Sequence, residues 1–139
     1  MSNALLQSAI QTALTAHGSQ VDKEGKLYIL HPLRVMLKGK NIHEQIVGVL
    51  HDVIEDTSLD YYDIEQHFGQ YIATAVDALT RRPQELYTDF ILRVKQNELT
   101  TAVKLNDLED NLSLARFSGL SESLNARYLK ARLTLRGEN

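Results

Sequence analysis

NIHEQIVGVLHDVIEDT, residues 41–57, is the stretch from which the rest of the chain is read. Ile46, Val47, Val49, Leu50, Val53 and Ile54 are too many for one helical stripe. The spacing therefore predicts a helix over about 42–55, buried on more than one side. His51, Asp52, Glu55 and Asp56 are set into that apolar run. Burying such groups is costly unless they are paired or hold a metal. His51 and Glu55 are four apart and share a face, as do Asp52 and Asp56. His51 and Asp52 lie about 100° apart around the axis, so a metal beyond the helix is within reach of both.

The same period extends outward. Leu5, Leu6, Ile10, Ala13 and Leu14 form one face over 3–17. Residues 18–30 carry two glycines and mixed polarity, which reads as a loop with an extended end at 27–30. His31-Pro32 opens a helix to about Leu37, since proline is favoured at a helix start. Further helices are predicted at about 60–67, 70–80, 84–97, 99–116 and 121–135, with breaks at Phe68-Gly69 and Arg81-Arg82-Pro83. No convincing strand pair is present. The fold class expected is all-α: a bundle of seven to eight helices forming a single domain over 1–139.

Composition narrows the chemistry. There is no cysteine, which excludes disulfides, thiolate metal sites and cysteine nucleophiles. The first ten residues, MSNALLQSAI, lack the basic and apolar regions of a signal peptide, and no run approaches the roughly 20 apolar residues of a membrane span. A cytoplasmic protein without a membrane partner is the expectation. The net charge of −3 argues against a nucleic-acid partner, which a basic surface would announce. It leaves room for a small anionic substrate, because a divalent ion and a few cations set the field inside a pocket.

Other groups can join the same shell. His31 stands at a helix start, and Asp107 is a polar insertion in the apolar helix VKLNDLEDN. Lys104 and Asn111 fall on the same helical face as Asp107. Two imidazoles and two carboxylates make a mixed nitrogen and oxygen site suited to Mn(II), Fe(II) or Zn(II). Each residue alone has a plainer reading. A histidine at a helix start is usually structural, and an acidic group at a helix end is usually solvated. Glu109 and Asp110 beside Asp107 read as an exposed acidic turn. His17, His43 and His67 carry no expectation of function, and the last two read as surface residues.

Taken together, the motifs resemble a known family. AHGSQVDKEGKLYILHP (16–32), LHDVIEDT (50–57), Phe68-Gly69, Ala78-Leu79-Thr80 and Lys104-Leu105-Asn106-Asp107 with Asn111 follow in order. They are similar to the HD-type hydrolase domain of the RelA/SpoT family and its stand-alone small alarmone hydrolases. The resemblance implies metal ligands His31, His51, Asp52 and Asp107, usually holding manganese. It implies a catalytic acidic pair, Glu55 and Asp56, and nucleotide contacts from Lys23, Lys104 and Asn111. The implied reaction is hydrolysis of the 3′-diphosphate of guanosine tetra- or pentaphosphate to GDP or GTP and pyrophosphate. At 139 residues no synthetase or further regulatory domain is expected.

Three positions depart from the family pattern. Asp22 stands where an arginine commonly packs on the guanine base, Leu27 replaces a proline, and Leu114 replaces a threonine. Asp cannot stack as arginine does. A phosphohydrolase acting on another nucleotide, such as a nucleoside monophosphate or a phosphorylated dinucleotide cofactor, is therefore a second reading. Lys23, Tyr28 and Asn111 weigh against it. A non-catalytic metal- or nucleotide-binding module is a third, disfavoured by the presence of both Glu55 and Asp56. The surface at 121–136 carries leucines beside Arg127, Tyr128 and Lys130. It is a candidate to close the pocket, to pack on the bundle, or to meet a partner such as a second copy of the chain.

Overall fold

Polar side chains mark where several helices begin. Asn41 accepts a hydrogen bond from the Glu44 amide at 3.0 Å, Asp60 and Asp63 close a reciprocal capping box, and Asn97 accepts from the Leu99 amide at 2.8 Å. Each satisfies amide groups that a helix start leaves open. The structure, a computed structural model, describes residues 3–118 and 121–138, with side chains for 3–113 and 121–138.

Among the described residues there are nine helical segments. They are α1 (Asn3–His17), α2 (Leu30–Leu37), α3 (Ile42–Leu50), α4 (Val53–Asp56), α5 (Tyr61–Phe68), α6 (Gln70–Ala78), α7 (Tyr87–Lys95), α8 (Glu98–Ser118) and α9 (Glu122–Arg136). α4 is a single turn, so the all-α expectation of seven to eight helices agrees with the longer elements. The only strand-like pairing among the described residues is an isolated bridge between Val21 and Leu27. It pinches the loop between α1 and α2.

α3 is the axis of the core. Ile46, Val47, Val49 and Leu50 are fully buried, and α1, α2, α6 and α8 pack around the helix. Gly48 permits a close approach of α2. A Cβ there would lie 3.3 Å from the backbone of Met36 in α2, so a larger residue would force the two helices apart. α5 packs on α6, and α9 packs across α7 and α8.

Two boundaries differ from the sequence reading. The helix predicted over 42–55 stops at Leu50, and α4 resumes at Val53. His51 keeps helical angles, but Asp52 sits at φ −102°, ψ −1°, in the bridge region. The chain turns there instead of running straight, although the Asp56 amide still bonds the Asp52 carbonyl at 2.9 Å. The helix predicted at 84–97 begins at Tyr87. Gln84 has a positive φ of 68°, and Glu85 accepts from the Arg82 amide at 3.0 Å, so 81–86 form a closed turn. α2 starts one residue before His31, which leaves Pro32 in the first turn, where its missing N–H costs no helical bond.

Candidate active site

The turn at His51 and Asp52 puts both side chains at the end of the core helix, facing α2 and α8. His31 comes from α2 and Asp107 from α8. His31, His51 and Asp52 each offer a ligand atom, all within 4.8 Å of one another. Asp107 Oδ1 lies 2.8 Å from His31 Nε2 and 3.5 Å from His51 Nε2. His51 Nε2 is 3.1 Å from Asp52 Oδ2. Ligands held about 2.1 Å from a first-row metal stand roughly 3 Å apart at right angles, so the spacings of His31, His51 and Asp52 suit one ion, with an Asp107 oxygen close to both imidazoles.

The donor chemistry fits as well. His51 Nδ1 is 2.6 Å from the Gly48 carbonyl and, as N–H, donates to it. That leaves Nε2 as the nitrogen able to serve a metal. This Nε2 is buried and, although 3.1 Å from Asp52 Oδ2, makes no well-aligned hydrogen bond, an orphan that a metal would satisfy.

The electrostatics are those of a tightly coupled cluster. Burial works to lower the His31 pKa, but hydrogen bonds to Asp107 and Asp110 raise it to about 9. His51 is likewise raised, against burial, by the charges of Asp52 and Asp107. Burial disfavours the Asp52 carboxylate, yet the His51 charge brings its pKa down to about 2. Asp107 is held well below the usual range, again against burial, chiefly by Lys104. Lys104 donates to Asp107 at 2.7 Å, and that charge raises its own pKa over the opposing effect of burial. Asn111 donates to Asp107 at 3.4 Å. Lys104, Asp107 and Asn111 thus share a face as predicted.

Glu55 and Asp56 sit on α4 at the rim of the cluster. Each offers an oxygen within 4.8 Å of the other and of Asp52. Burial raises both pKa values, with the Asp52 charge adding to the effect. The Arg81 amide donates to Glu55 at 3.1 Å, which fixes the carboxylate from the far wall. Tyr28, whose phenol is buried and raised in pKa beside Asp52, donates to that carboxylate. Gln20 bonds the Asp56 carbonyl at 2.9 Å and approaches His17 Nδ1 at 3.2 Å. His17, buried against the Tyr28 ring, therefore belongs to a brace that ties the 18–29 loop to the site. His67 is exposed, in line with the plainer reading, whereas His43 is half-buried against the Tyr71 ring.

Asp110 corrects the sequence reading outright. It is 3% exposed, on the inner side of α8, and its oxygens meet His31 Nδ1 and the Arg34 guanidinium. Only Glu109 of the supposed acidic turn is exposed.

His31, Asp52, Glu55, Asp56, Lys104, Asp107 and Asn111 line one cavity of about 800 Å³, within the range of small-molecule sites, with His51 and Asp110 buried behind its wall. Lys23, Lys26, Arg34, Arg81, Lys104 and Arg127 bring six cations to it, against six carboxylates. α9 adds Leu124 and Tyr128, and its Arg127 lies 4.0 Å over the Tyr87 ring. Ala131 and Leu135 of α9 are buried, so this helix both closes the pocket and packs on the bundle. Sequence reasoning missed Arg34, Arg81 and Tyr87, whereas Arg127 and Tyr128 lie on the surface it named as a candidate to close the pocket. Arg34, one turn after His31, was the one with a local signal. The Leu114 side chain lies outside the described residues. Among the described residues, no helix is long and apolar enough to cross a membrane.

At the rim, Lys23 is exposed. Asp22 accepts from the amides of Glu24 at 2.8 Å and Lys26 at 3.0 Å. Its carboxylate is spent on the turn itself, an Asx-type arrangement.

No family model matches the chain. It is 34% identical over 119 residues to a guanosine-3′,5′-bis(diphosphate) 3′-pyrophosphohydrolase of Aquifex aeolicus (strain VF5), a match covering 77% of this chain and 17% of the relative. It is 30% identical over 122 residues to the bifunctional (p)ppGpp synthase/hydrolase SpoT of Escherichia coli (strain K12), with the same coverage. The chain spans less than a fifth of the length of these curated relatives. Among solved structures it shares the fold of a protein described as a metazoan ortholog of SpoT that hydrolyses ppGpp and plays a role in starvation responses. The TM-score is 0.81 at 23% identity, over all of this chain and 89% of that one.

Proposed function

We propose that this chain, an HD-domain relative of the RelA/SpoT proteins, is a metal-dependent phosphohydrolase that removes the 3′-diphosphate of guanosine tetra- or pentaphosphate. The observation that carries the reading is the orphaned Nε2 of His51, aimed at two carboxylates and a second imidazole beside a cation-lined cavity. His31, His51, Asp52 and Asp107 would hold the ion, with Mn(II) the choice suggested by the resemblance and suited to a mixed nitrogen and oxygen set. Residues 1–139 would act as a single HD-type domain.

When bound, a divalent ion acidifies a water and offsets charge on the phosphoryl oxygens. The remaining work falls to side chains. Glu55, its pKa raised and its carboxylate held by the Arg81 amide, accepts a proton from the attacking water. Asp56, also raised, shares the proton or orients the water. Lys104 and Asn111 fix Asp107 and face the cavity, and Lys23 reaches in from the loop. One water is consumed, the ester at the ribose 3′ oxygen is split, and pyrophosphate leaves beside GDP or GTP. Phosphoryl transfer asks mainly for positioning and charge compensation. The cavity's cations supply the second, since six carboxylates alone would repel a polyphosphate.

A second reading, a different phosphorylated nucleotide as substrate, is favoured by Asp22. Its side chain is committed to the turn and offers no stacking surface. The two are separated by giving the Mn(II)-loaded protein guanosine tetraphosphate, GTP, NADPH and several nucleoside monophosphates, and measuring pyrophosphate and phosphate. Pyrophosphate from the tetraphosphate supports the first reading. Phosphate from another member, with the tetraphosphate untouched, sinks it.

A further inference from the structure

The two imidazoles of the cluster are held in the same way by different means. His51 Nδ1 is tied to the Gly48 carbonyl at 2.6 Å. His31 Nδ1 is tied to the Asp110 carboxylate at 2.7 Å. In both rings Nε2 is thereby left to face Asp107, at 3.5 Å and 2.8 Å. A backbone carbonyl on the same helical turn comes with the fold. A carboxylate 79 positions away and 3% exposed does not.

A buried carboxylate is expensive unless both of its oxygens are answered. Here they are. Asp110 Oδ1 receives Arg34 Nε at 2.7 Å, and Oδ2 receives Arg34 Nη2 at 3.1 Å as well as His31 Nδ1. The fork is bidentate, so the carboxylate cannot swing away from the ring. Arg34 is one turn beyond His31 on α2, and Asp110 is one turn beyond Asp107 on α8. The two facing pairs interlock, with Asp107 and Asp110 taking opposite nitrogens of one imidazole.

We infer that Asp110 is a positioning residue for the metal, clamped by Arg34, which selects Nε2 of His31 as the ligand atom and aims it at the cluster. A carboxylate behind a ligand imidazole also makes that ring a stronger donor, and losing such a partner typically costs 10–100-fold in metal affinity or activity. The inference rests on the metal site proposed above, though not on the identity of the substrate.

The test uses the metal-free full chain and Mn(II) alone as probe, with binding followed by the electron paramagnetic resonance of free Mn(II). Asp110→Ala should weaken Mn(II) about 10- to 100-fold. Asp110→Asn, whose amide oxygen still accepts from Nδ1–H, should recover part of the loss. Arg34→Ala should fall between wild type and Asp110→Ala. In parallel, the visible spectrum of the Co(II) form should change in Asp110→Ala, because the His31 ring is freed to rotate. A residue that merely staples α2 to α8 would move none of these in a folded protein. Wild-type Mn(II) affinity and an unchanged Co(II) spectrum in folded Asp110→Ala overturn the inference. If that variant does not fold, wild-type affinity in both Asp110→Asn and Arg34→Ala overturns it instead. Asp110-dependent Mn(II) affinity in a chain that releases no pyrophosphate from guanosine tetraphosphate keeps the inference and removes only the proposed substrate.

Discussion

The floor of the cavity and its rim are built on opposite principles. On the floor, His31, His51 and Asp107 are buried, come from three helices, and bond to partners far away in the chain. At the rim, Lys23 and Asp22 are exposed, and the Asp22 bonds reach only two and four residues along. A change on the floor must be answered by the whole bundle. A change at the rim is answered by one turn. On the proposed reading, reaction chemistry therefore sits in the core and substrate choice in an exposed loop, the kind of segment that tolerates change.

Breaking the floor should have the largest effect. His51→Ala removes an inward-facing imidazole that the proposed reading makes a metal ligand. Since losing an outer partner alone costs 10–100-fold, losing the ligand should cost at least about 100-fold in metal affinity and bring turnover to background. Metal content after dialysis and pyrophosphate release would both report it. Glu55→Gln comes next. It should lower kcat by about 10²- to 10⁴-fold while metal content stays at the wild-type level, because on the proposed reading Glu55 acts on the proton and is not among the ligands.

The rim should respond far less. Asp22→Arg gains a stacking cation but gives up two bonds within the turn. We expect KM for guanosine tetraphosphate to fall about two- to fivefold, the worth of an exposed cation–π contact, with kcat unchanged. A large drop in kcat would blur the division between floor and rim. Smallest of all is an effect away from the cavity. Glu85 is held at a pKa of about 2 mainly by its bidentate bond to Arg93. A depressed carboxylate stabilises the fold above its unfolded pKa of about 4.3, and that contribution is lost as pH falls through about 2. Glu85→Gln should therefore cost about 1 kcal/mol at neutral pH, and the difference from wild type should shrink below pH 4 in thermal melts.

How much of this the sequence disclosed follows the same division. The helices were legible because their apolar residues recur at a fixed period, and the buried polar cluster because His51, Asp52 and Asp107 interrupt such runs. The bend at Asp52 was not legible: both flanks are helical in pattern, and only packing decides that the axis turns. Asp110 was misread because a run of acids at 107–110 gives no hint of which side chains face inward. Its spacing of three from Asp107 was the available signal, matched by Arg34 three after His31. Arg81 and Tyr87 come from separate elements and meet only in the folded cavity, so no local pattern announced them. Asp22 was seen as a loss of arginine, whereas its service to the turn required the backbone.

The most direct measurement titrates Mn(II) into the metal-free protein while pyrophosphate release from guanosine tetraphosphate is followed. Activity should rise from zero and saturate at one ion per chain in the wild type, and stay at background in His51→Ala at every metal concentration. Release that persists in the metal-free chain, or that survives in His51→Ala, would contradict the account.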